Sequence, residues 1–396
     1  MSLWVDKHRP RSLDKLKVHE KQAKQLKKLV SAGDCPHLLF YGPSGSGKKT
    51  LCLGTLKELF GPGVEKLRTE QKTWQIQLPT RKIEVELATV KSNYHLELSP
   101  ADAGRKDVHV VQEVIKEMAK TKSSNSVFAE SAQSNAMLSM LTRGAGSSED
   151  QSPEKKQADS SGKSQQTAKR CTYKVLLINE VDKLSSHAQH ALRRTMEKYS
   201  KQCRLLMTCT NLSKVIDPVQ SRCVCVRVKA PDNEEVAELL TRVADKERVT
   251  LPQGLAQRIS QQSNRSMRRG LLMLETCRVT HYPFKDDQEI QLPEWELYVK
   301  DIAQSILKEQ TPKNLFLVRG KLYELLVNCV PPDMIFAKLA DELMAKLDDE
   351  LKYETVKWAA SFEHRLRLGT KPIFHLEAFV AKFMTIYKEW AIRAFG

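Results

Sequence analysis

The chain has 396 residues, of which 41% are hydrophobic and 6% aromatic, and its formal net charge is +16. At roughly 150 residues per domain this length points to two or three domains, and no run approaches the ~20 apolar residues of a membrane-spanning helix. The basic excess favours polyanion partners, nucleic acid first. So few aromatic side chains favour contact with backbone phosphate over base stacking.

Residues 1–7 lack the apolar core of a signal peptide, so the expectation is a soluble intracellular protein with no membrane partner. The nine cysteines are scattered. Cys223 and Cys225 are the only close pair, a poor zinc arrangement, and reduced, mostly buried thiols are expected.

Residues 1–30 carry nine Lys/Arg against three acids. Pro10 restricts Arg9 to extended geometry, which makes residues 4–10 too irregular for a helix interior. From 18 to 30, Leu26, Leu29 and Val30 among lysines suggest an amphipathic helix. Pro36 precedes a short apolar strand, Leu38, Leu39 and Phe40.

That strand enters Gly42, Pro43, Ser44, Gly45, Ser46, Gly47, Lys48, Lys49 and Thr50. Gly-x4-Gly-Lys is the phosphate-cradling loop of nucleotide-binding proteins. Its glycines let successive backbone N–H groups turn inward, the following helix offers its positive end, and Lys48 can reach the outer phosphates. One position departs from the pattern. A Ser or Thr, whose hydroxyl ligates Mg²⁺, should follow the lysine; Lys49 stands there instead, and Thr50 comes one place late.

Residues 51–120 read as helix, strands, helix. Residues 83–87 and 94–98 alternate as half-buried strands, and Val110, Val111, Val114, Ile115 and Met118 have helical spacing. Residues 121–170 hold twelve serines and five glutamines with almost no aliphatic periodicity. Such a segment buries too little apolar surface to offset the entropy of ordering, and a disordered insertion is expected, with a short helix at 135–141.

Order resumes in the apolar strand 173–178, which ends in Asn179, Glu180, Val181 and Asp182. This has the form of the second nucleotide motif, in which an Asp holds Mg²⁺ and a Glu orients the attacking water. Asn179 stands where the Asp belongs, and Glu180 is in place. A helix at 187–199, a strand at 205–207 and a strand at 224–228 follow. The βα alternation from 37 to 228 implies a parallel sheet with helices on its faces and ligands at the strands' carboxyl ends. Pro231 marks a boundary. Val236, Leu239, Leu240 and Val243 share a helical face, and 230–287 reads as a small helical domain. Beyond 288 the stripes Leu315, Val318, Leu322, Leu325 and Leu326, then Leu376, Phe379, Val380, Phe383, Tyr387 and Trp390, suit a packed helical bundle.

Residues 4–10, 42–50, 188–197, 214–223 and 375–384 together resemble the small subunits of the eukaryotic clamp loader, replication factor C. The resemblance runs over nearly the whole chain except 121–170. It implies an AAA+ module, an α/β nucleotide-binding domain at 1–229 with a helical lid at 230–287, and an all-α collar at 288–396. It implies five subunits in an arc with ATP at their interfaces, a sliding clamp and primer–template DNA as partners, and a nuclear location. Carried over by position, Arg222 is the finger that reaches the neighbouring subunit's ATP site, and Arg268 is the lid's sensor. Arg9 and Pro10 line the adenine pocket, with His8 where the family commonly has Tyr. The first sensor is usually Asn; Thr210 stands there, and a one-residue loop adjustment would bring Asn211 into place instead. Arg105, Lys106 and Lys116 lie on or beside the helix that tracks the duplex backbone, or form a solvated basic face.

Lys49 and Asn179 alter two Mg²⁺ contacts together. Mg²⁺ requires hard oxygen ligands, so the expectation is a subunit that binds ATP or ADP and hydrolyses it poorly. Glu180 is then vestigial, Mg²⁺ is in question, and Lys49 supplies charge that can hold nucleotide without metal. Its competitor is a stand-alone AAA+ ATPase acting on DNA, such as a branch-migration motor, which would form a homomeric ring.

Overall fold

Three consecutive apolar residues without a polar break need both faces of a sheet covered. Leu38, Leu39 and Phe40 are fully buried in β1 (Leu38–Tyr41) of the computed structural model. The structure describes residues 3–31, 35–77, 82–120, 173–200 and 202–395. The serine-rich segment 121–170, with its expected helix at 135–141, lies outside them. Two units result, Met1–Gln288 and Glu289–Gly396.

The first unit is built on a seven-stranded sheet in the order β2-β3-β4-β5-β6-β1-β7. The other strands are β2 (Arg68–Gln77), β3 (Lys82–Lys91), β4 (His95–Leu98), β5 (Lys174–Ile178), β6 (Cys203–Cys209) and β7 (Val224–Arg227). The strands from β4 to β7 are mutually parallel. The expected parallel sheet therefore holds for five strands, while β2 and β3 form an antiparallel extension. The reason lies in β3, where Val85 and Leu87 are buried between exposed Glu84 and Glu86. A strand wet on one face suits an antiparallel edge, not a parallel centre.

Successive side chains leave a strand on opposite faces, and the core divides accordingly. Leu39, Leu176, Ile178, Leu205 and Met207 pack with α4 (Asp107–Lys120) and α5 (Ser186–Tyr199). Leu38, Phe40, Val175, Leu177 and Leu206 pack with α2 (Glu20–Ser31) and α3 (Lys48–Phe60). Residues 4–10 differ from expectation, because Trp4–Lys7 makes one helical turn, α1, that stops before Arg9 and Pro10. The loop-bearing helix begins at Lys48 and so takes both lysines into its first turn.

A one-turn helix α6 (Asp217–Gln220) precedes β7. Three helices complete this unit: α7 (Asn233–Lys246), α8 (Gln253–Gln262) and α9 (Met267–Thr280). Asp232 and Glu235 cap α7 reciprocally, an arrangement that satisfies two otherwise orphaned N–H groups.

The second unit contains α10 (Glu294–Lys308), α11 (Pro312–Val327), α12 (Pro332–Met344), α13 (Asp349–Leu368) and α14 (Pro372–Phe395). Both expected stripes enter its core. Val318, Leu322, Leu325, Leu376, Phe379, Val380 and Phe383 are buried, with Leu315, Leu326, Tyr387 and Trp390 packed against them. Among the described residues no helix is long and apolar enough to cross a membrane.

Candidate nucleotide-binding site

The loop leaves the carboxyl end of β1, between β6 and β7. Gly42 has φ +151° and Gly45 +77°, conformations that favour glycine. Space forbids a side chain as well. A Cβ on Gly42 would lie 2.0 Å from the Val228 carbonyl oxygen, and one on Gly45 would lie 1.9 Å from Ser266 Oγ. Pro43 and Ser44 are exposed at the tip, while Gly47 forms the cap of α3 and Thr50 is half-buried in its first turn. Below, buried Ser46 donates its hydroxyl to the Pro43 carbonyl at 2.8 Å. Its own carbonyl lies 2.9 Å from Nε2 of buried His19, a support the sequence analysis missed. Burial holds the His19 pKa below its usual value, opposed by the Ser46 bond, so the ring under the loop is kept neutral.

Lys48 Nζ donates to the carbonyls of Gly42 at 2.6 Å and Pro43 at 2.8 Å. Its pKa is lowered chiefly by burial, and the Arg268 charge adds to the effect. Arg268 is exposed on the first turn of α9, whose cap Ser266 abuts Gly45. The lid thus brings a second helix N-terminus and a second cation to the loop. This cradle fits a nucleotide's phosphates: backbone donors, two helix ends and two cations all favour anionic charge.

The metal side is built differently. Lys49 Nζ lies 2.5 Å from Glu97 Oε1, and Asn179 Nδ2 donates to the same oxygen at 2.7 Å. Glu97 is 7% exposed, near the end of β4. Both departures from the motif therefore meet on one buried carboxylate. The arrangement does not fit Mg²⁺, because an ammonium and an amide stand where hard oxygen ligands are needed and the nearby carboxylate is already paired. Among the described residues no cluster of three or more His, Cys, Asp or Glu side chains is placed to hold a metal ion. By alternation alone, residues 94–98 are an ordinary half-buried strand. The signal available was Glu97 itself, an acid one residue from the carboxyl end of a strand that lies inside the sheet.

Glu180 is exposed at φ +53° and pairs with Lys183 at 2.7 Å. Asp182 is buried. It accepts from the Thr210 hydroxyl and from the N–H groups of Thr210 and Asn211, each at 3.2 Å. Thr210 therefore spends its hydroxyl on Asp182, and Asn211 contributes its backbone.

The segment carrying Arg9 and Pro10 is fastened to the lid. Glu247 Oε1 lies 2.6 Å from Lys7 Nζ and 2.5 Å from His8 Nε2, and the Trp4 N–H donates to Glu275 at 3.1 Å. Lys7 foremost, then His8, holds the Glu247 pKa below its usual value. Arg9 itself pairs with Asp6 at 2.9 Å.

Arg222 lies at the other end of the sheet. It follows α6 and precedes β7, and β7 runs parallel to β1 with Val224 beside Leu38 and Arg227 beside Tyr41. The loop leaves after Tyr41, so a strand length of roughly 13 Å, four residues at ~3.3 Å each, separates Arg222 from its own loop. The guanidinium is anchored on Glu197 of α5, with Nε at 2.8 Å and an Nη at 2.6 Å, and donates to the Pro218 carbonyl at 2.7 Å. Glu197 is another residue that the sequence analysis passed over.

Of the three DNA candidates, Lys106 reaches the Glu84 carbonyl at 3.3 Å and Lys116 pairs with Glu113 at 2.8 Å. Both are exposed, and the Arg105 side chain lies outside the described residues.

Comparison with known proteins places each part. Residues 295–391 match the model of the replication factor C subunit 3 C-terminal domain. Residues 238–279 match an RCF1/5-like AAA+ ATPase lid domain, and 18–232 match the DNA polymerase III delta subunit. The chain is 52% identical to replication factor C subunit 3 of Arabidopsis thaliana over 394 residues, covering 100% of both chains. It is 47% identical to subunit 3 of Homo sapiens over 390 residues, covering 98% of this chain and 97% of that one. Among solved structures, the Thermotoga maritima RuvB Holliday junction branch migration motor aligns over 79% of this chain and 85% of its own. The TM-score is 0.44 and the identity 16%, and no reading rests on that likeness.

Proposed function

This chain belongs to the replication factor C family of AAA+ proteins, and we propose that within the clamp loader it holds nucleotide while lending its finger to a neighbour. Clamp-loader membership follows from the family, and hetero-oligomeric assembly follows with it. The stand-alone motor is set aside on the same ground.

The finer reading has two halves. ATP or ADP binds at residues 42–50, with Lys48 and Arg268 on the phosphates and Arg9 and Pro10 beside the base. It is hydrolysed slowly, because Lys49 and Asn179 stand at the two positions where the motif supplies a hydroxyl and a carboxylate to Mg²⁺, and Glu180 is paired with Lys183. Arg222 completes the adjoining subunit's site, where a guanidinium supplied in trans stabilises charge on the transferred phosphoryl group. The observation that carries the reading is the meeting of Lys49 and Asn179 on Glu97, supported by the placement of Arg222 a strand away from its own loop. We further assign the boundaries 1–229, 230–287 and 288–396 to nucleotide-binding, lid and collar parts. The sliding clamp and primer–template DNA are the proposed partners, Arg105, Lys106 and Lys116 the backbone contacts, and the nucleus the place of action.

The test is ATP turnover and nucleotide retention by the purified full-length chain. The reading predicts that nucleotide stays with the protein through gel filtration and that turnover remains far below that of active AAA+ ATPases. Turnover at their usual rates overturns the holding role, and failure to retain any nucleotide overturns binding.

A further inference from the structure

Resting on that nucleotide-holding reading, we propose that Glu97 is the positioning residue that makes this loop independent of Mg²⁺. By pinning the Lys49 ammonium beside the phosphate loop, it forms a built-in cation centre that takes the place of the divalent ion.

Burial sets the first constraint on Glu97. A carboxylate 7% exposed must be neutralised or coordinated to stay ionised. Two partners do this, from two different elements. Lys49 arrives from the first turn of α3 and Asn179 from the end of β5, both on Oε1 at 2.5 and 2.7 Å. A carboxylate at 179 would set two anions side by side and leave one unpaired, so the amide is the form that fits. A hydroxyl at 49 would leave Glu97 without its counter-charge. The three identities are therefore one device, and changing one alone unbalances the others.

The chemistry follows. A divalent ion entering here would stand next to an ammonium that already occupies the carboxylate, so like-charge repulsion excludes it. The Lys49 side chain is 38% exposed in the first turn of the helix that follows the loop, which leaves it accessible to a nucleoside diphosphate or triphosphate bound there. Glu97 needs no contact with the nucleotide. It acts by fixing where the Lys49 charge sits.

The geometry also says what happens when the lysine is removed. In Lys49→Thr the hydroxyl restores the motif, and Glu97, freed and adjacent, becomes the anionic oxygen donor that the neutral Asn179 is not. The variant should acquire the Mg²⁺ requirement the natural chain lacks.

The experiment measures ADP affinity of the full-length chain by calorimetry, in EDTA and in excess Mg²⁺, for four proteins. The natural chain and Lys49→Arg, which keeps the pair, are expected to show affinities within twofold across the two conditions. Lys49→Thr is expected to bind at least tenfold more tightly in Mg²⁺ than in EDTA. Lys49→Thr with Glu97→Gln is expected to lose that response, because the donor carboxylate is gone. A tenfold Mg²⁺ response in the natural chain overturns the proposal, as does a response that survives in the double variant. If Lys49→Thr does not fold, the natural chain and Lys49→Arg still decide. Absence of ADP binding in every condition overturns the holding role as well, which separates that failure from a Mg²⁺-dependent natural chain.

Discussion

Lys49 and Arg222 are both cations held by a carboxylate within one unit, yet they are held in opposite ways. The partner of Lys49 is nearly sealed, with 9% of its side chain exposed, and is shared with Asn179. The partner of Arg222 is open, with 47% of the Glu197 side chain exposed. A buried pair cannot come apart without leaving an unpaired charge in the interior, whereas an exposed pair separates at little cost. The pair at the loop end of the sheet is thus committed, and the pair at the Arg222 end is releasable. That contrast fits a subunit whose own site is fixed while its arginine moves to another.

The largest effect is expected at Arg222. Arg222→Ala in the assembled complex should slow hydrolysis at the adjoining site by about 10³-fold or more, as loss of a finger does. Single-turnover assays at that site would check it, and an unchanged rate would equate the two ends.

Acid should act on the finger end next. His37 accepts from the Leu205 N–H through Nδ1 at 3.0 Å, and its carbonyl accepts from the Val224 N–H that opens β7 at 2.8 Å. Burial first, then the Arg204 charge, lowers its pKa to about 4. The folded pKa is depressed, so the unfolded chain takes up the proton first as pH falls. The stabilisation is complete above about pH 6.5 and is lost progressively down to about pH 4, by roughly 3 kcal/mol in all. Urea midpoints followed from pH 7.5 to 4 should show this slope, and His37→Asn should flatten it.

Lys49→Ala sharpens the loop side. Stranding Glu97 should cost about 2 kcal/mol, below the 3–5 kcal/mol of a fully buried pair because Lys49 is partly exposed. Glu197→Ala, the matching cut at the finger end, should change stability by about 0.5 kcal/mol or less. Chemical denaturation of both variants gives the comparison directly, and equal losses would erase it. The smallest effect concerns DNA: Lys116→Ala should reduce the salt slope of binding by about 1.

Much of this was legible in the chain. The apolar strands, the glycine loop and the collar stripes announce themselves because each is periodic or local, and the family resemblance singled out Arg222 and Arg268 for the roles proposed above. What escaped were the carboxylates and the histidine that position those residues. Glu97, Glu197, Asp182 and His19 are distant in sequence from Lys49, Arg222, Thr210 and Ser46, and no spacing rule links residues brought together by a sheet crossover. The departures at 49 and 179 were visible one by one, but their common partner was not. The antiparallel β2–β3 extension was missed for a related reason, since βα alternation describes the centre of a sheet better than its edge.

The account is tested most directly by ATP hydrolysis in the reconstituted complex carrying either Lys48→Ala or Arg222→Ala in this chain. It predicts that Lys48→Ala removes bound nucleotide from this subunit yet leaves most hydrolysis in place, while Arg222→Ala silences the adjoining site. Loss of hydrolysis on Lys48→Ala together with full activity of Arg222→Ala would contradict it.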